Sequence, residues 1–155
     1  MKKILLLGTI LATMLGTNLV MAHEHKPPHK GTLVVLGEEF SHLEFVLDSE
    51  KGQLTAYALD GEAENAERIP QKSIDLKITL DKGQPQQREL NLTLNAVENV
   101  LTGESVGDTS EFMAQSDDLK SRNKFFATIA NVTIKGQEFK NVDFDFPEGN
   151  DHDEK

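Results

Sequence analysis

His42-Leu43-Glu44-Phe45-Val46-Leu47-Asp48 decides the fold. In an extended chain Leu43, Phe45 and Leu47 face one way, and His42, Glu44 and Val46 the other. A period of two marks a half-buried strand. Ser49-Glu50-Lys51-Gly52 then turns the chain. Gln53 to Leu59 reads as the returning strand, which Asp60-Gly61 ends.

The same pattern extends in both directions. Upstream, Thr32 to Leu36 is an apolar, β-branched first strand, with Gly37-Glu38-Glu39 as its turn. Downstream, Glu62 to Lys72 is polar and reads as a loop. Ile74, Leu76, Ile78 and Leu80 alternate, Asp81-Lys82-Gly83 turns, and Leu90, Leu92 and Leu94 alternate again, giving a second hairpin. Phe125 to Ile134 and Glu138 to Phe146, joined at Lys135-Gly136, give a third. Between them, Asn99 to Asp118 reads as a long polar loop that Phe112 and Met113 pin to the core edge. Ser116 to Ser121 fits one helical turn capped by Ser116. About seven short strands and no long helix predict an all-β fold, an antiparallel β-sandwich of Ig-like or similar type.

This domain is expected over residues 32–147. Residues 1–22 have the form of a secretory signal peptide: Lys2 and Lys3, an apolar stretch from Ile4 to Val20, then the small-residue site Val20-Met21-Ala22. Residues 23–31 read as a flexible His-rich segment, with Pro27-Pro28 favouring an extended path. Residues 148–155 read as a disordered acidic tail. The expected location is therefore periplasmic or secreted, with membrane contact only through the cleaved signal.

Composition narrows the chemistry. The 16 basic residues lose Lys2 and Lys3 with the signal, which leaves 14 against 26 acids and a charge of −12. Such a surface repels nucleic acid and anionic membranes. The chain has no cysteine, so disulfides, thiolate metal sites and Cys nucleophiles are excluded. Met113 is the only methionine after the signal, which argues against a Met-rich Cu(I) site. The donors left for a metal site are imidazole and carboxylate, with the new N-terminal amine as an optional addition.

Four of the five histidines, His23, His25, His29 and His42, fall within twenty residues. His42 and Glu44, at i and i+2 on a strand, share a face about 7 Å apart along the backbone. Imidazole with carboxylate suits Zn²⁺ or Cu²⁺. If the first two strands pair, His29 comes alongside as a third ligand. The alternative is a solvated strand face whose polar residues bond to each other. Cleavage after Ala22 would expose His23-Glu24-His25, and a histidine in third position wraps Cu²⁺ or Ni²⁺ with the amine and two amides. The alternative there is a tail that binds copper only opportunistically. Asp60 is a further candidate ligand, beside Glu62 and Glu64 in a solvated turn. No catalytic constellation appears: strand neighbours Ser41 and His42 face opposite ways, and the chain has no G-x-S-x-G, H-E-x-x-H or phosphate-binding Gly loop.

Pro28-His29-Lys30-Gly31, His42-Leu43-Glu44 and Tyr57-x-Leu59-Asp60 resemble a pattern in small exported bacterial proteins: P-H-G-G, then H-x-E, then Y-x-L-D. A similar stretch occurs near the start of some periplasmic adaptor subunits of heavy-metal efflux pumps. The resemblance covers mainly Pro28 to Gly61, with Lys30 standing where a glycine is usual. It implies a periplasmic β domain for divalent metal handling, a buffer or accessory to efflux, with His29, His42 and Glu44 marked and Asp60 beside them. The expected function is a non-catalytic, exported divalent-metal-binding protein. The alternative is a non-catalytic interaction module of the cell envelope, docking through an edge strand or the Asn99–Asp118 loop.

Overall fold

The structure, a computed structural model, describes residues 26–151. Eight strands form one antiparallel sheet: β1 (Thr32–Leu36), β2 (Ser41–Asp48), β3 (Gln53–Leu59), β4 (Ser73–Leu80), β5 (Arg88–Ala96), β6 (Glu111–Gln115), β7 (Phe125–Ile134) and β8 (Gln137–Phe146). Their spatial order is β1-β2-β3-β6-β5-β4-β7-β8. The expected hairpins β2–β3, β4–β5 and β7–β8 are all present. No helix among the described residues is long and apolar enough to cross a membrane.

The all-β antiparallel class holds, but the sheet is barrel-like rather than split into two layers. A single eight-stranded sheet twists until its edges approach, so both faces of the core come from the same sheet. Val34, Leu43, Phe45, Ala56, Leu76, Ile78, Leu94, Phe112, Ile129 and Phe144 all point into one core cluster. Phe45 of β2 stacks on Phe144 of β8 at 4.6 Å between ring centroids.

The seam between β1 and β8 is closed by the segment after β8. The side chain of Asn150 donates to Val35 O at 3.0 Å and accepts from Val35 N at 2.7 Å. An amide side chain thus takes the place of a neighbouring peptide group. Gly149, with φ +87, lies against Leu33 O where a Cβ would collide. The ordered domain therefore extends past residue 147, through Asn150; the residues after Asp151, His152 among them, lie outside the described residues.

The loop expected over Asn99–Asp118 contains an eighth strand, β6, which joins the two halves of the sheet by pairing with β3 and β5. Phe112 is fully buried, as a residue pinning this segment should be, whereas Met113 is exposed on the outer face. Asp117–Leu119 forms a 3-10 turn, and its N-cap Ser116 accepts from Asp118 N. Gly52 permits the close pass of this turn: its φ is +67, and a Cβ there would meet Ser116 O.

Candidate functional site

The outer face of β1, β2, β3 and β6 carries one cross-strand row. Leu33 pairs with Glu44, Glu44 with Tyr57, and Tyr57 with Glu111. Because β1 and β2 do pair, the chain just before β1 returns over Glu44. Pro27 to Lys30 make a turn, closed by Lys30 N donating to Pro27 O at 3.1 Å. The segment expected to be flexible is thus fastened from His29 onward.

Glu44 is the fastening point. Its Oε1 accepts from His29 N at 2.9 Å and from Gly31 N at 2.7 Å. Its Oε2 lies 2.8 Å from His29 Nδ1. The carboxyl group is fully buried, while the His29 side chain is 43% exposed. The imidazole also lies flat on Tyr57, with centroids 3.8 Å apart and 12° between the planes. Gly31 is required here: a Cβ would come 2.5 Å from Phe45 O.

This arrangement fixes the imidazole in position and in tautomer. With Glu44 as carboxylate, Nδ1 donates to it, which leaves Nε2 as the nitrogen with the lone pair whenever the ring is neutral. Two neighbouring groups respond to the crowding. Burial, reinforced by the charges of Glu111 and Glu44, pushes the Tyr57 phenol above its ordinary value. Burial, reinforced by Glu104 and partly opposed by His29, pushes the Glu111 carboxyl up.

His42 takes a different role. It is fully buried, and its Nδ1 lies 3.0 Å from Asp60 O, a backbone acceptor. Beside it, Ser41 Oγ donates to Leu59 O. Leu59 and Ala63 are buried outside the core cluster, so the outer face of β2 has a small hydrophobic cover of its own. Asp60 is committed to the same turn. Its Oδ1 accepts from Glu64 N and Asn65 N, and its Oδ2 from Asn65 Nδ2 at 2.7 Å. The Asn65 amide, aided by these backbone donors, holds the carboxyl below its usual range despite some burial.

The structure thus brings His29 and Glu44 together but does not assemble the trio with His42. Among the described residues, no three His, Asp or Glu side chains are grouped to hold a metal ion. Glu44 spends its oxygens on backbone N–H groups and on His29, His42 faces a carbonyl, and Asp60 caps a turn. His23 and His25 lie outside the described residues, as does the signal peptide. Tyr57 and Glu111 were missed as site residues. The spacing of Tyr57 in the Y-x-L-D pattern was a signal for the first, and nothing in the sequence placed Glu111 beside it.

The chain matches no family model, no curated protein and no solved structure.

Proposed function

We propose that this is an exported, non-catalytic divalent-metal-binding protein, a buffer or accessory to heavy-metal efflux in the periplasm. Its ligand is His29 Nε2, with Glu44 as the positioning group behind it. One observation carries the reading: the 2.8 Å contact between His29 Nδ1 and Glu44 Oε2 on a ring that is still 43% exposed. Metal-binding histidines characteristically give their second ring nitrogen to a carboxylate, which orients the ring and raises its basicity. Stacking on Tyr57 removes the remaining rotational freedom.

One imidazole cannot hold an ion with useful affinity. His23 and His25, six and four residues earlier in the chain, supply the further nitrogen donors in this reading. Nitrogen donors suit Zn²⁺ or Cu²⁺. His42 and Asp60 become supports of the fold rather than ligands. The test is a Zn²⁺ titration of the protein beginning at His23, followed by the ring resonances of each histidine. The reading requires His29 to shift with His23 and His25 while His42 stays in place. If His29 does not move, the reading fails.

The envelope interaction module remains the second reading. Val100 and Leu101 favour it, standing 94% and 97% exposed at a loop tip.

A further inference from the structure

The cross-strand row that carries His29 does not end at Tyr57. Glu111 of β6 stands directly opposite Tyr57, on the side away from Glu44. The two glutamates are thus two strand spacings apart, about 10 Å along the row. The His29 ring lies flat on Tyr57, and so over the middle of this span.

The two carboxylates are used in opposite ways. Glu44 is fully buried and is bonded by the N–H groups of His29 and Gly31 and by the His29 ring. Glu111 is half-buried, and its backbone N–H donates to Thr109 Oγ1. Among the described residues, no donor or cation bonds to its carboxylate. Nearby Glu104 is committed elsewhere: Oε1 accepts from Ser110 N at 2.9 Å and Ser110 Oγ at 2.6 Å, and Oε2 accepts from Thr102 Oγ1. From Glu89 to Leu119 the sequence has no lysine or arginine. The positive charge that reaches the Glu111 carboxyl comes from His29, which opposes the effect of Glu104. The Glu111 oxygens are therefore open to a ligand from outside, as those of Glu44 are not.

The ring points toward them. The two nitrogens of an imidazole face in widely divergent directions. Nδ1 is turned to Glu44, so Nε2 looks along the row toward β6. The 2.8 Å contact and the ring itself take up roughly half of the span. Bonds from Zn²⁺ to nitrogen and oxygen are about 2 Å each, so one ion fits the remainder.

We propose that Glu111 is a second ligand of the metal held by His29 Nε2, bound through a carboxylate oxygen. This rests on His29 being a ligand, as proposed above, and adds a second fixed donor on the folded body. With His23 and His25 the set reaches four, the number Zn²⁺ takes in closed sites. An oxygen donor beside imidazole also turns the site away from Cu(I), which prefers sulfur. Glu111 has no such use in the fold, where its charge is unfavourable.

Calorimetry with Zn²⁺ on the protein beginning at His23 tests this, with thermal midpoints measured in chelator. Glu111→Gln is expected to weaken binding by at least about tenfold, no less than loss of an outer-shell partner does, while its metal-free midpoint at pH 7 does not fall. The loss is expected to persist at about 0.5 M NaCl, where attraction between separated charges is screened. In the wild type, the Glu111 side-chain carboxyl ¹³C resonance is expected to move with Zn²⁺ in step with the His29 ring. If His29→Ala weakens binding and Glu111→Gln does not, the proposal is overturned and the His29 reading stands. If neither variant matters, the His29 reading falls and takes the proposal with it. A loss confined to low salt would show that Glu111 acts only by charge at a distance, which also overturns it. Should Glu111→Gln prove less stable without metal, the carboxyl resonance decides: a shift with Zn²⁺ supports ligation, and a fixed resonance overturns it.

Discussion

His29 and Glu44 are joined twice, through the backbone N–H of His29 and through its ring, by one fully buried carboxyl group. Glu44 therefore both anchors the segment before β1 and orients an imidazole. Replacing Glu44 with Ala leaves the N–H groups of His29 and Gly31 without their acceptor. Loss of these bonds is expected to cost about 2–4 kcal/mol, read as a lower midpoint in urea, with faster amide exchange at Gly31. Glu44→Gln keeps the volume but not the charge. Its oxygen still accepts from the two N–H groups, so its NH₂ faces Nδ1 as a donor and should drive the neutral ring of His29 to the Nε2–H tautomer, visible in ring ¹⁵N shifts.

Tyr57 is the only tyrosine, and the chain has no tryptophan, so phenolate absorbance reports this site alone. Burial and the charges of Glu111 and Glu44 raise its value, and titration should show it ionising above the free phenol. Glu111→Gln should move it back toward the ordinary value. The linkage follows: the unfolded chain releases the phenolic proton first. Stability contributed by the raised value is present below pH 10 and is lost as pH climbs through the folded value.

Glu111 behaves in the same sense at lower pH. Its folded carboxyl holds the proton more tightly than the unfolded one, because of burial first and Glu104 second. Stability from this group is full below about pH 4.5 and is lost as pH rises through the folded value. At pH 7 the ionised carboxylate is a burden on the fold. Glu111→Gln should therefore raise the thermal midpoint at pH 7, with the gain disappearing near pH 4. A variant less stable than wild type at pH 7 would show that Glu111 is instead held by a favourable partner.

Asn150 closes the barrel with two hydrogen bonds to Val35. Asn150→Ala removes both and should cost about 1–3 kcal/mol. The Val35 amide should lose protection in hydrogen exchange while amides of β4 and β5 keep theirs. Uniform loss across the sheet would mean that the seam and the core open as one unit.

How much of this was legible depended on distance along the chain. The hairpins β2–β3, β4–β5 and β7–β8 were readable because alternation and turn residues are local signals. Strand β6 was not, because Glu111–Gln115 has one strongly buried side chain, Phe112, and its partners lie far away in sequence. The closing role of Asn150 depends on a partner 115 residues earlier. Alternation in β2 correctly turned His42 and Glu44 away from the core, but gave no hint that the 60–66 turn and the 27–31 segment cover that face. That cover is why Glu44 bonds backbone rather than facing solvent, and why His42 meets the Asp60 carbonyl. The proximity of His29 to Glu44 followed from pairing β1 with β2, the one long-range step that short turns made readable.

The central claim is that His29, set by Glu44, is a metal ligand. Calorimetry with Zn²⁺ on the protein beginning at His23 measures this directly. The account predicts one site tighter than about 10 μM, a binding free energy near −7 kcal/mol. His29→Ala should weaken it tenfold or more, and Glu44→Gln by about 10- to 100-fold, as loss of an orienting carboxylate does. Wild-type binding weaker than about 10 μM, or equal affinity in the wild type and His29→Ala, would contradict it.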